Sequence, residues 1–293
     1  MEEGYDALPD SADVTVDNAP VLSLTHNGLT IEGYSRAAVQ TYWRVPELKV
    51  GFDLGVQPWS FMTTPTYFVS HTHLDHIAAL PVYVSRRRLM KMEPPTIYLP
   101  SEGVEPVQAL LRAMRRLDRG ALPAAIIGVE PHQDIELSRE LVVRTLPTQH
   151  TIPSLGFLVY ERRKKLKPEY HDLTGDQIRD LRLSGVEVSA EIRIPKVCYL
   201  GDTTPEGIDC HPDILKAEIL ILEMTFVTAQ ERPALIHKFG HTHLDDILAR
   251  ADAFENQIII ASHFSTRQPV NQIHRAVERK LPNSLRGRLK IWL

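Results

Sequence analysis

The chain has 293 residues, 43% of them hydrophobic, and a formal net charge of −4. That length supports one large core or two modest domains, and the charge leaves any nucleic-acid binding to local patches. No run of about eighteen apolar residues appears, so no transmembrane helix and no membrane partner is expected.

Residues 1–20 read as a flexible acidic tail without an apolar signal core. The two cysteines, Cys198 and Cys210, make no CxxC or other ligand pattern. Cys198 lies in an apolar run and is expected in the core, and this usage fits a reducing, cytoplasmic location. Leu29 to Gly33, Ala38 to Val45 and Leu48 to Asp53 read as strands of a meander, with Gly and Pro at the breaks. Tyr67 to Ser70 is a further strand. Ile77 to Met92 and Val104 to Leu117 are apolar at helical spacing, the first carrying Arg86, Arg87 and Arg88. At most two of those consecutive arginines can share a face. Thr96 to Leu99, Ala124 to Val129, Leu141 to Leu146 and Leu155 to Tyr160 are predicted strands. The last is followed by the basic run Arg162-Arg163-Lys164-Lys165. Thr174 and Gln177 have capping-box spacing, with Gly185 past the helix end. Pro195 to Gly201, Ala217 to Glu223 and Gln257 to Ser262 are continuous apolar runs of the kind buried on both faces. Thr242 to Phe254 is predicted helical with a Thr242/Asp245 capping box, Val270 to Leu281 is an amphipathic helix, and Leu289 to Leu293 is a closing strand. No repeat and no linker divides residues 21–293, which are expected to form a single domain with a short basic arm-like insertion at about 161–194. Strands first in runs and then alternating with helices suit two face-to-face sheets covered by helices, an α/β (α+β) four-layer αββα sandwich.

The chemistry concentrates in Ser70-His71-Thr72-His73-Leu74-Asp75-His76, directly after the strand Thr66 to Val69. Three imidazoles and a carboxylate at one strand exit suit zinc, and also manganese or iron. Three more lone ligand types stand at exits of apolar strands: His150, Asp202 and His263. Glu223 ends another strand, and His241 follows Gly240. A Glu–His pair in contact is a plausible proton-transfer unit, because the carboxylate keeps the imidazole charged.

The order His-x-His-x-Asp-His resembles the signature of the metallo-β-lactamase superfamily. Glu223-Met224-Thr225-Phe226, Gly240-His241-Thr242, His150-Thr151-Ile152-Pro153-Ser154-Leu155-Gly156-Phe157 and Ser262-His263-Phe264-Ser265-Thr266-Arg267 resemble segments of the ribonuclease Z family. Gln268 stands where that family has an aromatic residue. The resemblance implies the αββα fold and two Zn2+ ions, with Mn2+ or Fe2+ as alternatives. His71, His73 and His150 would serve one ion, Asp75, His76 and His263 the other, and Asp202 would bridge. It implies endonucleolytic removal of the 3′ trailer from precursor tRNA by metal-bound hydroxide. Asp75, Glu223 and His241 would be the catalytic residues. Ser265 and Arg267, together with Arg162, Arg163, Lys164 and Lys165, would contact substrate. A homodimer is implied as well, one arm serving the partner's site. Asp53 is expected to support the ligands. The stretch 161–194 lacks the family's Gly-Pro-rich arm tip, so a phosphodiesterase of the same fold acting on a small or cyclic-nucleotide substrate stands as the alternative.

Overall fold

The computed structural model describes residues 19–228 and 233–293; the predicted acidic tail, but for residues 19 and 20, lies outside them. Two seven-stranded sheets follow one another along the chain. The first holds β1 (Leu22–His26), β2 (Leu29–Arg36), β3 (Gln40–Val45), β4 (Val50–Leu54), β5 (Thr66–Phe68), β6 (Thr96–Pro100) and β7 (Ala125–Val129), in that spatial order. The second holds β8 (Asp134–Glu136), β9 (Leu141–Pro147), β10 (Leu155–Leu166), β11 (Ser189–Tyr199), β12 (Ile219–Glu223), β13 (Ile258–Ser262) and β14 (Leu289–Ile291), again in order. Each sheet begins as an antiparallel meander of four strands and continues as parallel strands.

Strand periodicity explains the layers. Successive side chains point to opposite faces. In β4, Val50 and Phe52 enter the core between the sheets; the left-handed backbone at Asp53, φ +55, breaks the alternation and sends Leu54 into the outer one. In β12, Ile219 and Ile221 face inward while Leu220 and Leu222 face the helices. This two-sided burial is why these strands read as unbroken apolar runs. The inner core joins Trp43, Phe52 and Phe68 of the first sheet to Phe157, Tyr199 and Ile260 of the second. Trp292 closes it, its indole N–H donating to the Gly33 carbonyl across the sheets at 3.0 Å.

The outer layers are helical. α1 (Leu74–Ile77), α2 (Leu80–Leu89) and α3 (Val104–Asp118) cover the first sheet through Leu80, Tyr83, Val107 and Leu111. On the second sheet, α5 (Pro205–Asp209), α7 (Leu244–Leu248) and α8 (Val270–Lys280) pack through Ile208, Ile247 and Ile273. The remaining helices are α4 (Gly175–Leu183) and α6 (Pro233–Lys238). The αββα sandwich is therefore present. Cys198 is fully buried, as expected.

Several boundaries differ from the sequence reading. The basic run is strand: β10 and β11 extend past the sheet as a hairpin with α4 toward its end. Arg162 to Lys165 are consecutive cations with no hydrophobic period, so the pattern gave no strand signal. The predicted helix from Thr242 shrinks to α7, whose N-cap is His243, not Thr242. His243 accepts from the Asp245 N–H, and its own N–H donates to Asp246 at 2.8 Å. The three arginines of α2 hold their own chain. Arg86 donates to the Gln57 carbonyl, Arg87 to those of Glu93 and Met62, and Arg88 to that of Ala121.

Candidate metal centre

The parallel portions of both sheets point their C-terminal ends to one edge. The β5–α1 loop brings His71, His73, Asp75 and His76 there. His150 follows β9, Asp202 follows β11 and His263 follows β13, while Glu223 is the last residue of β12. Two glycines let the backbones close in. Gly201 has φ +61, and a Cβ there would stand 2.5 Å from the Ser70 Cβ. Gly240 has φ +70, and a Cβ would stand 2.6 Å from His150 Nδ1. Asp53 and His263 themselves take left-handed backbone conformations, φ +55 and +58. Non-glycine residues pay for that conformation and retain it mostly at functional sites.

Hydrogen bonds on the far side of each ring decide which nitrogen faces the centre. Ser70 Oγ donates to Asp53 and so accepts from His71 Nδ1 at 3.0 Å. His150 Nδ1 donates to the Gly240 carbonyl at 2.9 Å. His71 Nε2, His73 Nδ1 and His150 Nε2 are thereby turned on one another, each neighbouring pair with His73 3.1 Å apart. His76 Nδ1 donates to Asp53 at 2.6 Å, and His263 Nδ1 to Thr225 Oγ1 at 3.1 Å. Their Nε2 atoms then face each other at 3.3 Å, and Asp75 Oδ2 lies 3.7 and 3.5 Å from them. Asp202 Oδ2 sits between the two sets, 3.4 to 4.0 Å from His263, His76, His71 and His150. Where the facing nitrogens carry no proton, lone pairs at these separations repel unless a cation lies among them. Nitrogens bound at about 2.0–2.1 Å to a tetrahedral zinc stand roughly 3.3 Å apart. The donor set thus fits two metal ions, and the residues could hold them in the pairing that the resemblance implies.

The comparisons follow the same line. Residues 66–264 match the Beta-lactamase superfamily domain. The chain is 38% identical over 264 residues to tRNase Z TRZ1 of Arabidopsis thaliana, covering 89% of this chain and 94% of the relative. The chain belongs to the ribonuclease Z family. A bacterial member, Ribonuclease Z of Oceanobacillus iheyensis, is 27% identical over 72% of this chain and 74% of its own. Among solved structures, the short form of human tRNase Z superposes with a TM-score of 0.52 at 19% identity, over 82% of this chain and 88% of that one. That likeness carries the fold alone. As a ribonuclease Z family member with this superfamily domain, the chain is a metal-dependent hydrolase.

The electrostatics of this ribonuclease Z centre divide its histidines. Burial pushes His71, His73 and His150 below the ordinary imidazole value, which leaves them as neutral donors. Burial also opposes charge on His76, but Asp202 and Asp53 outweigh it and raise the group to about 9. His241 is likewise opposed by burial and raised to about 9 by Glu223, whose carboxylate accepts from His241 Nδ1 at 3.0 Å. Burial would raise Asp75 and Asp202, yet His263 and His76 hold both carboxyls well below the usual range.

The signs give an expectation for the metal-free chain. His76 and His241 bind protons more tightly folded than unfolded, so their stabilisation is full below the unfolded value of 6.5 and lost as pH rises toward 9. The three lowered histidines act oppositely, costing stability below 6.5. Thermal midpoints of chelator-treated protein are expected to peak near pH 6.5 and fall on both sides. A steady rise to pH 9 contradicts this balance.

Two site residues escaped the sequence reading. Thr225 donates to Glu223 and accepts from His263, joining a candidate ligand to the Glu–His pair. Thr225→Val keeps the shape and removes the oxygen. It is expected to weaken zinc binding about tenfold, read by competition with a chromogenic chelator. Phe239, 55% exposed, lines the cavity of about 570 Å³ over the centre beside His241, Ser265 and Arg267. An exposed aromatic before a glycine carries no periodic signal. His243, by contrast, is spent on the α7 cap.

The basic run does not join the cavity. Arg162 pairs with Glu136, Arg163 with Glu161 and Lys164 with Glu187, and these three line a separate cavity at the base of the hairpin. Lys165, next on the strand, is exposed and has no ion-pair partner among the described residues.

Proposed function

We propose that the chain removes the 3′ trailer from precursor tRNA, using two Zn2+ ions held by His71, His73 and His150, by Asp75, His76 and His263, and by Asp202 between them. The observation that carries it is the Glu223–His241 pair, 3.0 Å apart beside this donor set. When bound, such ions supply an activated water and a positive clamp on phosphoryl oxygens. The chain's own residues do the rest. Asp75, kept ionised and held at Oδ2 by the Ala38 N–H at 2.8 Å, orients the attacking water. His241, kept protonated by Glu223, gives its proton to the leaving 3′ oxygen. Arg267, exposed at the cavity, and Ser265, buried beneath it, meet the phosphate and its neighbours. The arm residues Arg162, Arg163 and Lys164 line a cavity apart from their own chain's centre, which supports a homodimer in which each arm serves the partner's site.

Purified protein with a trailer-bearing precursor tRNA is the test, with Asp75→Ala as control and product ends mapped. A single cut at the trailer junction, lost in the variant, is expected. A second reading rests on the short arm without a Gly-Pro-rich tip: the same centre would act on a small phosphodiester. Hydrolysis of a chromogenic diester that bulk tRNA fails to inhibit, with no cut in the precursor, favours it.

A further inference from the structure

The last two turns of α3 carry Arg112, Arg115 and Arg116, and Arg119 caps the helix in the left-handed conformation, φ +51. The spacing i, i+3, i+4, i+7 puts all four guanidinium groups on one side of the helix, at successive steps of about 5–6 Å. All four are exposed. Glu105 pairs with Arg112 at 3.1 Å, both ends largely in solvent. Asp118, the one other acid on the helix, is already taken by Arg88. Arg115, Arg116 and Arg119 have no hydrogen-bond or ion-pair partner among the described residues. Like charges at these spacings destabilise a helix, and here they gather within a chain whose net charge is −4. The helix dipole favours Arg115 and Arg116 in the last turn, but its effect fades before Arg112, a turn earlier.

The four side chains also shape the surface. With Gly120 and Ala121 they line a cavity of about 460 Å³, in which every charged wall residue is an arginine. A neighbouring groove of about 420 Å³ runs from Arg112 and Arg115 to Leu122, Pro123 and Ile126. Neither contains an aromatic side chain. Planar forks in a row, without an aromatic anchor, suit phosphates rather than bases or a protein hot spot. The place in the fold is equally specific. α3 starts at the metal centre's edge, where a Cβ on Gly103 would stand 3.0 Å from Thr72. At 1.5 Å per residue the stripe lies about 12–24 Å along the helix from there.

We propose that this arginine stripe is a second RNA contact, binding the phosphate backbone of the folded substrate while the scissile bond sits in the centre. It deepens the reading above and rests on it: a folded RNA spans that distance, whereas a dinucleotide or cyclic nucleotide does not.

The test uses the full chain with all four arginines changed to glutamine, and a companion with all four changed to lysine. Cleavage kinetics on precursor tRNA are measured across a salt series, with tRNA binding followed by fluorescence anisotropy and a chromogenic phosphodiester as the small substrate. In the glutamine form KM is expected to rise about tenfold with kcat unchanged, and the slope of log affinity against log salt to shrink by about 3. The lysine form keeps the slope, and the small diester is hydrolysed as before. Unchanged KM, affinity and slope in the glutamine form overturn the proposal, as does a stripe that binds polyglutamate but not tRNA. If the wild-type chain does not cut the precursor, the functional reading fails, and the anisotropy comparison still decides the stripe.

Discussion

Asp202→Ala is expected to abolish cleavage, lowering the rate by roughly a thousandfold or more, and to reduce metal content below two ions per chain. One oxygen of Asp202 lies within 4.0 Å of five imidazoles. Among the described residues, no other carboxylate approaches both donor sets in this way. Without it, each set keeps three donors but shares none. Elemental analysis beside single-turnover cleavage reads both effects. A variant retaining two ions and full activity removes the bridging role of Asp202.

His241→Ala is expected to behave differently, slowing cleavage by about 10²–10⁴ with both ions retained. The nitrogen of His241 nearest the centre, Nδ1, is the one that donates to Glu223, 3.0 Å away, and it stands 4.0 Å from Asp202. The other five rings turn a nitrogen free of such a bond toward the centre. That geometry supports the proposed proton role of His241 over one as an ion ligand. Glu223→Gln removes the charge that raises it to about 9, so the alkaline limb of the rate profile is expected to move to lower pH. Loss of metal in His241→Ala, or an unmoved limb in Glu223→Gln, contradicts the assignment.

Much of this centre was legible because its donors are punctuation. His71 to His76 are contiguous, and His150, Asp202 and His263 each interrupt the end of an apolar run where a strand must stop. Glu223 and His241 could be paired only through their family resemblance, since 18 residues and a helix separate them. Thr225 stayed hidden because a threonine after a strand has many ordinary uses. The hairpin beyond Glu161 stayed hidden for a different reason: four consecutive cations, Arg162 to Lys165, carry no apolar alternation, and the partners Glu136 and Glu187 lie elsewhere in the chain. Nor did the sequence show that Arg86, Arg87 and Arg88 are held by loop carbonyls of their own chain.

The two sheets share one plan, and both supply donors, four from the first and three from the second. His71 and His73 come from the first half of the chain and meet His150 of the second; Asp75 and His76 come from the first and meet His263 of the second. Each ion would straddle the seam, so neither half can hold one by itself. Binding then contributes to the union of the halves as the logarithm of free metal over its dissociation constant. For such a chain, scarcity of metal is also a matter of lifetime: the edge that opens first when supply falls is the one that carries the chemistry, and degradation would begin where activity has already ceased.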